Sequence, residues 1–151
     1  MAHIRISFYT KALPEYVFDY VTKPDNMPAW NSNFVANKGR SEGPITVGTS
    51  WIQASKIGGR TVEFHRRVLK YERPQRIVWE MTGLGGRMVL AFELQPQGSG
   101  TKATYTADYT LPGSLLGRFA DKLLESRTKR DTARNIAKLK AILQKGAVTE
   151  C

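Results

Sequence analysis

The sequence predicts an α+β protein in which a curved, seven-stranded antiparallel sheet is covered by one long C-terminal helix. Three observations predict this fold. The chain opens with an alternating apolar and polar segment, six strand-like segments follow with glycine-rich breaks between the later ones, and the C-terminal part has helical spacing. The predicted element order is therefore one strand, two short helices, six strands and the long helix.

The first strand and the two short helices are marked by alternation and by prolines. Residues 4–8 alternate between apolar and polar side chains, which is typical of a strand with one buried face. Pro14 begins a helix, where its fixed φ angle costs nothing, and Pro24 ends it. Residues 25–30 then form a second helical turn that ends at Trp30.

The middle of the chain predicts a run of antiparallel strands, because breaks of only a few residues allow no other pairing. The glycine-rich breaks fall at 58–59, 83–86 and 98–100. The predicted strands are 33–38, 45–57, 60–71, 76–82, 87–95 and 101–111. Alternation is poor in the first two of these, so their inward faces cannot be read from the sequence.

The four later strands are apolar on one side only, as expected of a sheet covered on one face. Arg66 is the charged exception on the predicted inner side, between Phe64 and Val68, while His65 points outward. The predicted inner residues are Val62, Phe64, Arg66, Val68, Ile77, Trp79, Met81, Met88, Leu90, Phe92, Leu94, Ala103, Tyr105, Ala107, Tyr109 and Leu111.

The long helix is predicted from Pro112 to about Lys145, with Ser114 as N-cap and Gly146 as stop. Its apolar stripe comprises Leu115, Leu116, Phe119, Leu123, Ala133, Ile136, Ala137, Leu139 and Leu143. Small residues are predicted on the inner surfaces of sheet and helix: Ala103, Ala107, Ser126 and Ala133. One such helix fills little of the space inside a curved sheet, so both a cavity and a solid aromatic core are open interpretations.

Composition sets limits on the class of protein. The 151 residues, 41% of them hydrophobic, predict one domain over 1–151 and exclude a disordered chain. One cysteine, Cys151, and two histidines predict no disulfide framework, no metal site and no cofactor. Because the chain has no signal-like or membrane-spanning apolar segment, the expected location is the cytoplasm.

The net charge of +10 is concentrated in the long helix. The range 113–145 holds nine Lys and Arg residues against three acids, which accounts for six of the ten net positive charges. Arg60, Arg66, Arg67, Lys70, Arg73 and Arg76 form a second concentration. A solvated helix face and attraction to an acidic surface are both compatible with this pattern.

Several segments in order resemble the SRPBCC (START-like) superfamily, in its polyketide cyclase/dehydrase and lipid-transport branch. The resemblance covers residues 4 to 143. The matching segments are Ala12-Leu13-Pro14-Glu15-Tyr16-Val17-Phe18-Asp19, 25–30, Val47-Gly48-Thr49, 71–79 and 94–101.

The resemblance implies the helix-grip fold and a hydrophobic ligand held between the sheet and the long helix. It favours a cavity over a solid core. The hairpin at Gly83, Gly85 and Gly86 is then either a gate at the cavity mouth or an ordinary connection. The predicted ligand-binding residues are Trp30, Trp51, Phe64, Arg66, Trp79, Met88, Leu90, Phe92, Tyr105, Ala107, Tyr109, Phe119 and Leu123.

No catalytic motif is present, so catalysis depends on single residues. Arg66 is the candidate for stabilising an enolate, and Tyr105 and Tyr109 are candidates for donating hydrogen bonds to it. A buried arginine needs either a ligand anion or an internal carboxylate. The sequence offers no paired inward carboxylates and no Ser-His-Asp set, which disfavours nucleophilic hydrolysis.

Three functions follow from these observations. The first is binding or carriage of a hydrophobic small molecule such as a lipid, polyketide or aromatic compound, without catalysis. The second is a polyketide cyclase or dehydratase that uses the same cavity. The third is an interaction module whose basic helix docks on an anionic membrane or acidic protein, with nucleic acid disfavoured. A monomer or a homodimer would suit each of them.

Overall fold

The computed structural model of the protein describes residues 2–57, 59–83, 85–110 and 113–149, and their side chains except at 2, 57, 110, 113–125 and 147–149. A 3₁₀ turn at Pro24–Asn26 joins the first two helices. The other elements are β1 (Ala2–Thr10), α1 (Pro14–Thr22), α2 (Met27–Trp30), β2 (Phe34–Lys38), β3 (Ser50–Ile57), β4 (Arg60–Glu72), β5 (Arg76–Gly83), β6 (Gly86–Gln97), β7 (Gly100–Thr110) and α3 (Gly113–Thr149).

The seven strands form one curved antiparallel sheet in the order β1-β7-β6-β5-β4-β3-β2. Strands β2 to β7 follow one another as a meander, and β1 pairs with β7 along its whole length. Together with the long helix α3, this arrangement is the helix-grip fold, so the predicted fold class is confirmed.

The core lies between the inner face of the sheet and the helices. The side chains of Phe18, Ile77, Phe92, Leu139 and Leu143 are almost completely buried. Helix α3 packs on β1 and α2. Its C-terminal part is also held by Gln144, whose Oε1 accepts hydrogen bonds from Thr10 Oγ1 at 2.8 Å and Lys11 N at 2.7 Å.

Helix α1 covers one end of the sheet. Pro14 occupies its first turn, and Val17, Phe18 and Val21 form its buried face. Arg73, in the turn between β4 and β5, donates two hydrogen bonds of 2.8 and 2.9 Å to the Asp19 carboxylate. These bonds lower the pKa of Asp19 below its usual value, so the pair ties α1 to that turn at neutral pH.

The strand predicted over 45–57 is too long, because β3 begins at Ser50. Thr46 and Thr49 instead close a turn, in which Thr49 N donates to Thr46 O at 3.1 Å and Thr46 N donates to Thr49 Oγ1 at 3.0 Å. Gly48 supplies the positive φ angle of 89° in this turn. The β-branched Val47 therefore lies in a loop and is 58% exposed.

Both predicted ends of the long helix also need correction. The helix begins at Gly113, so Ser114 lies inside it, and it continues through Gly146 to Thr149. A Cβ atom on Gly146 would lie 2.1 Å from the Tyr16 hydroxyl oxygen, so this glycine permits a close approach rather than a helix end. The predicted apolar side chains Leu115, Leu116, Phe119 and Leu123 lie outside the described residues.

In the part of the chain that the structure describes, no helix is long and apolar enough to cross a bilayer.

Candidate functional site

A cavity of about 370 Å³ lies between the inner face of the sheet, α2 and the middle of α3. This volume is at the small end of the range for ligand cavities, about 300–1,000 Å³. Its apolar wall consists of Met27, Trp30, Phe64, Trp79, Met81, Met88, Leu90, Phe92 and Ile136. Its polar wall includes Asn31, Asn33, Gln53, Ser55, Lys56, Arg66, Tyr105, Arg127, Thr128, Asp131, Thr132 and Asn135, and Gly59 also lines it.

Arg66 projects into this cavity from β4 and is only 4% exposed. Inward and outward residues alternate along β4, and Arg66 takes an inward position between Trp51 of β3 and Met81 of β5. Its guanidinium carbon lies 4.6 Å from the centre of the Trp79 ring and 5.6 Å from that of Trp51. The two rings therefore hold the cation through cation–π contacts.

The Arg66 guanidinium has few polar partners. Its Nη1 donates to Gln53 Oε1 at 2.9 Å and reaches Met81 Sδ at 3.7 Å, while Nε has no hydrogen-bond partner among the described residues. Among the residues that the structure describes, no carboxylate lies within ion-pair distance of Arg66. Burial lowers the pKa of Arg66 to about 10, so the side chain remains charged at neutral pH.

Further hydrogen-bond donors surround this charge. The indole Nε1 atoms of Trp51 and Trp79 are buried and have no partner within the described ranges. Burial raises the pKa of Tyr105 to about 12, so its phenol stays protonated at neutral pH and can donate a hydrogen bond. The side-chain Nε2 of Gln53 donates a hydrogen bond to Ser55 Oγ at 3.1 Å. The described residues on the sheet side of the cavity thus present a cation and several donors but no acid.

The helix side of the cavity is polar as well. Asn135 Oδ1 accepts from Ser32 N at 3.2 Å and from Ser32 Oγ at 2.9 Å, and Asn135 Nδ2 donates to Asn31 Oδ1 at 3.3 Å. These bonds fix the segment after α2 on α3. Asp131, one helical turn earlier, is half-buried in the cavity wall and brings a carboxylate to the site.

The small helix residues predicted to face inward do not do so: Ser126 and Ala133 are both exposed. The inward positions are taken by Thr128, Thr132 and Asn135, which share one side of the helix at the spacing of i, i+4 and i+7. Since these positions border a cavity rather than packed core, they carry polar side chains. Of the apolar stripe predicted along the helix, Ile136, Leu139 and Leu143 are buried as expected, whereas Ala133 and Ala137 are exposed.

Most of the predicted ligand-binding residues lie together in the cavity wall: Trp30, Phe64, Arg66, Trp79, Met88, Leu90, Phe92 and Tyr105. Trp51 is buried behind the wall, against Arg66. Ala107 and Tyr109 are buried in the core outside the wall. The side chains of Phe119 and Leu123 lie outside the described residues.

Sequence reasoning missed the polar inner face of β3. Trp51, Gln53 and Ser55 point inward and are buried, whereas Ile52 and Ala54 between them are half-buried. Two of the three inward side chains, Gln53 and Ser55, are polar, and the outward residues between them are apolar. This is the reverse of the alternation that normally marks a sheet covered on one face. One signal in the sequence could have indicated the inward face of this strand. A predicted inward cation such as Arg66 needs aromatic or polar neighbours on the adjacent strand, and Trp51 is such a neighbour.

The predicted gate residues form the hairpin between β5 and β6. Gly83 pairs with Gly86, and Gly85 adopts a positive φ angle of 74°. A Cβ atom on Gly83 would lie 2.7 Å from Phe64 Cδ1, so this glycine allows the hairpin to approach a ring of the cavity wall. Opening of the cavity by this hairpin stays a prediction.

Within the described ranges, no three His, Cys, Asp or Glu side chains come together as a possible metal site.

The family described as polyketide cyclase/dehydrase and lipid transport matches residues 1–144 of the chain. No curated protein gives a significant match. A protein of Thermus thermophilus has a similar structure, with a TM-score of 0.79 at 17% identity, over 96% of this chain and 99% of that one.

Two further structures share the fold. The di-domain ARO/CYC StfQ of the steffimycin biosynthetic pathway matches with a TM-score of 0.78 at 13% identity, over 96% of this chain and 51% of StfQ. The Aha1 dimer of Colwellia psychrerythraea matches with a TM-score of 0.64 at 19% identity, over 95% of this chain and 97% of that one.

Proposed function

The chain belongs to the polyketide cyclase/dehydrase and lipid-transport family, and on that premise we propose that it binds one hydrophobic small molecule bearing an acidic or carbonyl oxygen. The observation that supports this ligand class is Arg66. A charged guanidinium that is buried in a cavity wall, with unused donors and no carboxylate partner among the described residues, favours an oxygen-bearing ligand.

The apolar part of the cavity wall fits the hydrophobic part of such a molecule. Trp30, Phe64 and Phe92 provide an apolar surface for an aromatic or acyl body. The tilted Tyr105 ring lies 5.1 Å from that of Phe92, and its protonated hydroxyl is a second donor for the ligand oxygen. A volume of about 370 Å³ suits a fused two-ring compound or a medium-chain acid.

Calorimetric titration with naphthalene-2-carboxylate and its neutral analogue naphthalene-2-carboxamide tests this proposal. We expect the carboxylate to bind at least about 10-fold more tightly, because hydrogen bonds to a charged acceptor are about twice as strong as neutral ones. All three tryptophans, Trp30, Trp51 and Trp79, lie in or against the cavity wall, so intrinsic fluorescence provides a second readout. Equal affinities, or no binding of either compound, would refute the proposed ligand class.

A second candidate function is the polyketide cyclase or dehydratase, and Asp131 is the observation that favours it. Its carboxylate lines the same cavity as Arg66 and Tyr105. Asp131 would accept a proton from the carbon next to a ligand carbonyl, while Arg66 and Tyr105 donate hydrogen bonds to the enolate oxygen that forms. Return of the proton to carbon would restore the carboxylate.

Hydrogen–deuterium exchange at the acidic CH₂ of 2-tetralone, followed by NMR in D₂O, tests this second function. Catalysis predicts exchange above the buffer rate, and we expect Asp131→Asn to lower the protein-catalysed rate at least about 100-fold while 2-tetralone binding persists. Asp108→Asn serves as control, because Asp108 lies on β7 paired with His3. Exchange at the buffer rate with bound 2-tetralone would support simple carriage instead.

Other expectations from the sequence stay predictions: a cytoplasmic location, and a monomer or homodimer in solution.

A further inference from the structure

Helix α3 carries an unusually one-sided charge over residues 126–146. The one acid in this range, Asp131, is half-buried in the cavity wall. All seven basic side chains of the same range are exposed: Arg127, Lys129, Arg130, Arg134, Lys138, Lys140 and Lys145. The charge on the solvent side of the helix is therefore purely cationic here.

Five of these cations lie along one side of the helix and are called the basic stripe: Arg127, Arg130, Arg134, Lys138 and Lys145. Their separations of three, four, four and seven residues keep them within one sector of an α-helix. At 1.5 Å per residue the basic stripe is about 27 Å long. It is thus a straight row of positive charge.

Several cations of the sheet have acidic partners, whereas the middle of the basic stripe has none among the described side chains. On the sheet, Glu80 pairs with Arg67 and Arg87, and Glu93 pairs with Arg76. By contrast, no carboxylate among the described side chains lies within ion-pair distance of Arg130, Arg134 or Lys138. Like charges at i and i+4 destabilise a helix, and an external anionic surface would relieve this repulsion.

The basic stripe also borders the cavity. Arg127, its first member, is exposed and is at the same time part of the cavity wall, which the exposed Lys56 and Gly59 of the β3–β4 hairpin also line. A surface that contacts the basic stripe would therefore lie beside the cavity mouth. Hydrophobic molecules collect in bilayers, so a bilayer is the surface that this position suits.

Nucleic acid fits less well. Proteins that bind single strands combine positive charge with exposed aromatic side chains on which bases stack. Of the large hydrophobic side chains that the structure describes as exposed, Tyr9 is the one aromatic, and it lies on β1. We propose that the basic stripe docks the protein on an anionic lipid bilayer, with the cavity mouth next to the lipid headgroups.

Flotation with vesicles tests the proposal. We expect the protein to bind vesicles of 30% phosphatidylserine in phosphatidylcholine, and to bind pure phosphatidylcholine vesicles at least about 100-fold more weakly. Binding should fall steeply between about 0.05 and 0.5 M NaCl, because salt screens exposed charges. Equal binding to both vesicle types, or binding to an RNA oligonucleotide without binding to anionic vesicles, would overturn the proposal.

A matched pair of triple variants tests whether the basic stripe is the surface that binds the vesicles. We expect Arg130→Glu/Arg134→Glu/Lys138→Glu to bind anionic vesicles at least about 100-fold more weakly than the wild type. The control Arg5→Glu/Lys70→Glu/Lys102→Glu changes the charge by the same amount at exposed positions of the sheet, and we expect a loss of less than about 5-fold. A comparable loss in both variants would contradict docking by the helix.

The milder Arg130→Gln/Arg134→Gln/Lys138→Gln variant covers the case in which charge reversal prevents folding. We expect it to bind anionic vesicles about 10-fold or more weakly than the wild type and to retain the wild-type circular dichroism spectrum. Unchanged vesicle binding would overturn the proposal. The proposed function places naphthalene-2-carboxylate in the cavity, whose wall does not include Arg130, Arg134 or Lys138. On that premise its affinity for these variants should not change, so failure of docking and failure of ligand binding are separate results.

Discussion

Arg66→Met is expected to leave the protein as stable as the wild type, or more stable by up to about 2 kcal/mol, while it weakens carboxylate binding about 100-fold. The reason is that Arg66 is buried without a carboxylate partner among the described residues, so its desolvation opposes folding. Methionine fills a similar space between the Trp51 and Trp79 rings. Urea unfolding and calorimetry with naphthalene-2-carboxylate measure the two effects.

Arg67→Met is the matched control for this prediction. Arg67 is the next residue of β4 but points outward, where it is exposed and pairs with Glu80 at 3.4 Å. We expect a change in unfolding free energy within about 0.5 kcal/mol and unchanged ligand affinity. A loss of more than about 3 kcal/mol in Arg66→Met, or unchanged binding by it, would contradict a ligand-binding role for Arg66.

Phe92→Ala is expected to lower the free energy of unfolding by about 3–5 kcal/mol and to enlarge the cavity. The Phe92 ring is 1% exposed and packs edge-on against Trp30 at 6.3 Å and Trp79 at 6.1 Å between centroids. Since Phe92 also lines the cavity, its removal should shift binding towards larger ligands. Urea unfolding, with calorimetry of anthracene-2-carboxylate against naphthalene-2-carboxylate, measures both effects.

Phe18→Ala provides the comparison. Phe18 is fully buried and packs on Tyr71 at 5.1 Å, but it is not part of the cavity wall. We expect a similar loss of stability, about 3–5 kcal/mol, without a change in the preference between the two acids. If Phe18→Ala alters that preference as much as Phe92→Ala does, ligand selection does not depend on the cavity described above.

The strands and the inward position of Arg66 could be predicted because local chemistry determines them. Glycine-rich breaks mark the later hairpins, and the alternation around Phe64, Arg66 and Val68 is regular. Successive side chains of a strand point to opposite faces of the sheet, so the face of each residue follows from its neighbours. One charged residue among the inward positions does not obscure this alternation.

The polar half of the site could not be predicted, because its causes are contacts between distant segments. Gln53 is buried since it accepts from Arg66 on the neighbouring strand. Asn135 faces inward since it binds the segment after α2, more than one hundred residues earlier in the chain. A polar residue at such a position resembles a solvent-exposed one in the sequence, so Asp131 was missed and Ala133 was placed inside.

Native mass spectrometry of the protein purified from cells, followed by denaturing release of any bound compound, tests the ligand-binding account most directly. The account predicts one hydrophobic molecule with an acidic or carbonyl oxygen per chain of the wild type, and its absence from Arg66→Met purified in the same way. Retention of the same molecule by Arg66→Met, or a released molecule without such an oxygen, would contradict the account.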